Sequence, residues 1–167
     1  MEKPLEIKPE MLATRTNRFV NFIIDSLLVG IIQVGATEGC NALYRKYGNE
    51  ILHIGPPVVD NVKYLLLAMA LNIVYFGLFE SLTMRTPGKF VTNTMVVKND
   101  GTKPDDGRIF LRTLCRLIPL EALSFLWSPG IGLHDSFSKT RVVDIDEFNK
   151  RHQVKDVEDI GINEENL

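Results

Sequence analysis

The chain has 167 residues, with 19 Lys and Arg against 21 Asp and Glu. That length suits one compact unit and is short for two domains. The balanced charge and the lack of a basic, aromatic-interleaved surface argue against a nucleic-acid partner. With two cysteines and no CxxC or Cys/His cluster, neither a disulfide nor a metal site is expected. A mean hydropathy near zero hides a partition. Residues 144–167 carry eight acids against three bases and read as an acidic polar C-terminal tail, whereas the apolar residues of 1–143 gather into a few runs.

Residues 1–16 are polar, include two prolines and read as a cytoplasmic N-terminal arm with a short interfacial helix over 10–16. Thr16 or Asn17 can cap the helix that follows. The apolar run over 19–36 is long enough to span a bilayer. It starts late, lacks a small-x-small cleavage site and carries Asp25 in its core, so it is not read as a signal peptide. A second run, 64–79, spans if 62–82 are counted. Residues 83–113 are a polar excursion. Within it Thr86-Pro87-Gly88-Lys89 reads as a turn in which glycine is free to take φ > 0. The β-favouring stretch 90–97, closed by Asn99-Asp100-Gly101, predicts a short strand or hairpin at the membrane surface. Arg108, Arg112 and Arg116 then recur every fourth residue as a basic stripe on one helix face. The third run, 114–126 extending to 133, contains Pro119, Glu121 and Pro129, which fits a re-entrant or interfacial element better than a full crossing.

The expected fold is all-α and integral to the membrane. It has two full transmembrane helices, a third broken or re-entrant helical segment, and a short cytoplasmic β-like surface element. Residues 81–118 hold seven Lys and Arg, and residues 43–61 hold two. The positive-inside bias therefore places 81–118 and the N-terminus in the cytoplasm.

Polar residues mark one face of each span. Asn17, Asn21 and Asp25 recur at spacing four, with Arg18 two turns below Asp25. Asn72 and Glu80 share a face of the second run, and Asp135 follows the third. Ionisable groups on such segments are costly unless they face a partner or water, so they are functional candidates. Acids from three segments, meeting inside a bundle with arginines at the cytoplasmic end, suit a cation or a proton. The alternative is structural: Arg18 snorkels to the interface, Asn21 and Asn72 act as interhelical glue, and the charges pair. With no nucleophile–base pair and no ligand spacing for a metal, neither enzyme activity nor a cofactor is expected, and His134-Asp135 reads as a structural turn.

Taken in order, these pieces resemble the RDD family of small bacterial membrane proteins, named for one arginine and two aspartates. The matching residues are Arg18 to Asp25, Glu80, Thr86-Pro87-Gly88-Lys89, Met95-Val96-Val97 with Asp100-Gly101, the arginine helix, and Leu133-His134-Asp135 through Val143. By this resemblance residues 17–143 are the membrane domain, Arg18 and Asp25 are the first arginine and aspartate, and Asp135 is the second aspartate. It implies a multi-pass protein of the bacterial cytoplasmic (inner) membrane. Some members are cation/proton antiporters, which implies monovalent cation/proton exchange. The expected site is then Arg18, Asp25, Glu80 and Asp135, with Asn21, Asn72, Arg112 and Arg116 as auxiliary polar groups. Asp25 would carry the ion or proton and Arg18 would regulate its charge. A homo-oligomer is expected, because three helices enclose little pathway. The rival expectation is a non-transporting accessory or scaffold protein that binds a membrane partner or anionic lipid through the basic stripe and the acidic tail.

Overall fold

A computed structural model describes residues 7–56, 61–117 and 133–164. Two long helices dominate: α1 is Arg15–Tyr47 and α2 is Asn61–Thr83. The cap of α1 is Thr14, not Thr16 or Asn17: its hydroxyl oxygen accepts the Asn17 N–H at 3.1 Å, satisfying a donor that the first turn leaves orphaned. Gly48 closes the helix at φ 68, a left-handed position that glycine takes without strain. Both helices are long and apolar enough to cross a membrane. At 1.5 Å per residue α1 reaches about 50 Å, more than a hydrocarbon layer needs. Leu27, Ile31, Val34, Leu65, Leu66 and Leu78 are exposed on the outer faces, while the two helices meet through Val29, Tyr75 and Phe76.

A polar cap sits at the Arg18 end. It comprises α3 (Pro87–Val91), β1 (Thr94–Lys98), α4 (Asp106–Cys115), α5 (Leu133–Ser138), β2 (Thr140–Asp144) and α6 (Ile145–Glu164). The chain is thus mostly helical with a small two-stranded sheet. β1 and β2 are antiparallel, Thr94 opposite Asp144 and Lys98 opposite Thr140. Of the expected strand or hairpin the strand forms, as β1, but its partner is β2 and not an adjacent hairpin strand. The chain does turn at Gly101, φ 77, with the Lys98 N–H donating to the Thr102 carbonyl at 2.9 Å, but no second strand follows, and Asp105 caps α4 by accepting the Arg108 N–H. The strand is also shorter than expected, because Pro87 starts a helical turn that takes in Phe90 and Val91.

The N-terminal arm is not one helix over 10–16: extended residues 12–14 separate a 3-10 turn from the start of α1 at Arg15. After a 3-10 turn at Pro9–Met11, Leu12 bridges Val143 and the Ala13 N–H donates to the Val142 carbonyl at 2.9 Å. The acidic C-terminal stretch begins as a helix: the Asp144 carboxylate accepts the Asp146 N–H at 3.0 Å, and Phe148 packs with Met11, Val97 and Val143 under the sheet. The broken third segment falls largely on residues 118–132, including Glu121, which lie outside the described residues.

The Thr-Pro-Gly-Lys segment is the start of α3 and not a free turn, and its glycine answers to close approach. A Cβ on Gly88 would lie 2.6 Å from the Asn21 carbonyl oxygen and 2.9 Å from the Asn21 Cα. Backbone atoms of α1 cannot yield as a flexible side chain can. We therefore expect Gly88→Ala to destabilise the protein by roughly 1–3 kcal/mol, the usual range for overpacking. A melting temperature in detergent equal to that of the wild type would show that α3 does not approach α1 this closely.

Candidate functional site

Six elements deliver charged or hydroxyl side chains to one buried centre. Glu80, near the C-terminal end of α2, is fully buried. Its Oε1 accepts from Lys89 Nζ of α3 and from Arg116 Nη2, each at 2.8 Å, and Arg112 Nε of α4 lies 3.0 Å from Oε2. Asp135, in the first turn of α5, is fully buried too. Arg18 Nη1, from the first turn of α1, donates to its Oδ2 at 2.5 Å, and Arg112 Nη1 pairs with its Oδ1. Arg112 Nη1 also donates to Thr140 Oγ1 at 2.9 Å, where β2 begins. The arginine spacing in α4 makes this possible: residues four apart share a face, so Arg112 and Arg116 both reach Glu80.

This geometry corrects the expected role of Arg18. It does not snorkel but is buried against Asp135, and among the described residues no ion pair joins it to Asp25. Asp25 is held by three donors instead: Tyr75 OH at 3.0 Å, Thr86 Oγ1 at 2.5 Å and the Gly88 N–H at 2.9 Å. Among the described residues no cation sits at ion-pair distance from it. Arg18 and Asp135 therefore converge, and Asp25 stands apart with α3. Asn21 joins α1 to the β1 end of the cap, donating to Thr94 Oγ1 at 3.1 Å and accepting from Thr92 Oγ1 at 2.6 Å. Asn72 turns back on its own helix, donating to the Ala68 carbonyl at 2.9 Å. The basic stripe is not an exposed face. Arg112 is fully buried, Arg116 stacks its guanidinium 4.3 Å from the Phe76 ring centre, and only Arg108 stays at the surface, paired with Asp105.

Sequence reasoning missed Lys89, Thr86, Tyr75 and Thr140. The signal for Thr86 and Lys89 was present in the Thr-Pro-Gly-Lys tetrapeptide, read there as a turn alone. Tyr75 sits in an apolar run, and nothing in the run separates its hydroxyl from the core. Burial pushes the Lys89 ammonium down to about 8, with Arg116 and Arg112 adding to the effect and Glu80 opposing it.

A cavity of about 320 Å³ lies between α1, α2 and the cap. Arg18, Lys89, Arg112 and Arg116 line it, and Asp25 is the one carboxylate among its described lining residues. Among the described residues no cluster of His, Cys, Asp or Glu is placed to hold a metal ion. The family model of the RDD family matches residues 12–145, which contain every residue of the centre. No curated protein and no solved structure matches the chain.

Two outcomes follow from the charge arrangement. Asp135→Asn leaves Arg18 and Arg112 buried against a neutral amide, which costs about 3–5 kcal/mol. Asp25→Asn, which loses hydrogen bonds but strands no paired cation, costs roughly 1–3 kcal/mol. Denaturation in detergent should rank them in that order, and the reverse order would refute the pairing. Lys89 gives a pH signature. Between about pH 8 and its ordinary value of 10.5 the folded protein has released a proton that the unfolded chain keeps. The unfolded state then binds more protons, so this group's contribution to stability rises with pH across that window. Unfolding midpoints measured from pH 7.5 to 10 should show a rise in the wild type that Lys89→Met lacks.

Proposed function

We infer the function from one premise: the chain belongs to the RDD family. We propose a multi-pass protein of the bacterial inner membrane in which α1 and α2 cross the bilayer and the Arg18 end lies in the cytoplasm. Seven Lys and Arg within 81–118 against two within 43–61 support that orientation. A homo-oligomer belongs to the proposal, since two spans leave most of their apolar flanks uncovered by the chain itself.

Within that setting the protein acts as a non-transporting accessory protein. The observation that carries this reading is the state of the carboxylates. Glu80 is matched by Lys89, Arg112 and Arg116, and Asp135 by Arg18 and Arg112. Cation/proton exchange needs a carboxylate that can trade its proton for a cation. Carboxylates locked to arginine cannot make that trade, and a cation entering the cavity would meet four positive side chains. The centre instead pins the cap to the two spans.

Monovalent cation/proton exchange is the second reading, and Asp25 favours it. Asp25 lines the cavity and is held by hydroxyl and N–H donors instead of an ion pair. Proteoliposomes holding a pH-sensitive dye and challenged with Na⁺, K⁺ and Li⁺ separate the two. The accessory reading expects no proton movement above that of empty liposomes, for the wild type and for Asp25→Asn alike. Cation-driven flux that disappears in Asp25→Asn would establish exchange and overturn it.

A further inference from the structure

The cavity has chemistry that the charge network leaves unused. Its wall follows one face of α1 from Arg18 through Phe22, Val29 and Gly30 to Gln33. At 1.5 Å per residue that is a path of about 22 Å. The cationic side chains converge at the Arg18 end, and Phe22, Val29 and Phe76 give the wall an apolar part, interleaved with Ser26, Asn72 and Gln33. Among the described residues, Arg18 Nε, Arg116 Nε and Gln33 Nε2 on this wall are buried without a hydrogen-bond partner. All three are N–H donors. Arg18 is only 8% exposed.

A buried donor left without an acceptor costs about 1–3 kcal/mol, and native proteins seldom leave one so. Arg18 Nε and Arg116 Nε, orphaned where the cationic side chains converge, call for an acceptor that carries negative charge. Planar guanidinium groups match phosphate oxygens in both geometry and charge. The volume lies within the range of sites that take small organic ligands. A phosphate alone would fill only the charged end, whereas the apolar stretch suits hydrocarbon.

We infer that this cavity binds a phosphate-bearing anionic lipid, its headgroup between Arg18, Lys89 and Arg116 and one hydrocarbon chain along α1 past Val29. The inference rests on the accessory reading and deepens it by naming the ligand class. Binding occurs inside the fold, not at an exposed basic face.

Native mass spectrometry of the delipidated full chain tests it, with equal amounts of phosphatidylglycerol and phosphatidylcholine offered together. Phosphatidylglycerol should be retained at least about tenfold over phosphatidylcholine, and Arg116→Gln should remove about tenfold of that retention. Gly30→Leu provides a test that leaves the charges untouched. A Cβ at Gly30 meets nothing within 4 Å, so the larger side chain projects into open space along the chain path. It too should lower retention, and it decides the matter if Arg116→Gln does not fold. Equal retention of the two lipids, or unchanged retention in Gly30→Leu, overturns the inference. Displacement by inorganic phosphate assigns the charged end to free phosphate and overturns the lipid assignment. Cation flux lost in Asp25→Asn is read separately: it overturns the accessory reading, whatever the lipid comparison shows.

Discussion

The guanidinium of Arg112 is the constraint on which the rest of the structure depends. One fully buried side chain of α4 reaches Glu80 on α2, Asp135 on α5 and Thr140 at the start of β2. Arg18 completes the set by bringing α1 to Asp135. At this point the cap is therefore tied to the two long helices by charge. Apolar packing fixes position loosely, whereas paired guanidinium–carboxylate geometry admits few alternatives. Desolvating so many charges is expensive, and the cost is offset only while every partner is in place. The small apolar clusters of the cap, Met11 with Val97, Val143 and Phe148 and Ala13 with Val96 and Val142, lie on the sheet and the arm. They hold the cap together but do not reach the spans.

A second attachment works by a different principle. α3 lies against α1 at backbone distance, which only a glycine at 88 permits, and the Gly88 N–H meets Asp25 there. Thr86 and Tyr75 add their hydroxyls to the same carboxylate. Asp25 thus joins α1, α2 and α3 without an ion pair. Lys89 follows Gly88 directly, so the helical turn that docks on Asp25 also aims an ammonium at Glu80. The two attachments are coupled through one short helix.

The long elements were legible in the sequence and the short ones only in part. Runs of apolar residues sufficient to span a bilayer identify α1 and α2 from composition alone. The sheet was half legible: Met95-Val96-Val97 announced β1, but its partner lies beyond α4 and α5, and local turn signals favour a hairpin. Arg18 and Asp25 illustrate the limit for the site. Helical periodicity places them on one face and suggests a pair, yet the partner of Arg18 is more than a hundred residues away. Periodicity within one helix reports which side chains share a face and says nothing of what arrives opposite. The α4 stripe shows the same limit in reverse, since even i, i+4 spacing reads as a solvated face until the acids that meet it are known.

The polar face of α1 has the most to say about function once it is divided. Its lower part, Arg18 to Asp25, is engaged in docking the cap. Its upper part, Ser26 to Gln33, lines the cavity and is left to solvent, lipid or ligand. If α1 crosses a bilayer, as proposed, each polar group beyond the turns that the cap contacts costs free energy in hydrocarbon. The charge balance points the same way. Among the described residues Arg18, Lys89, Arg112 and Arg116 share two carboxylates, Glu80 and Asp135. In the lipid-binding proposal an acceptor from outside the centre would meet the orphan donors of Arg18 and Arg116, with the open part of the α1 face as its path.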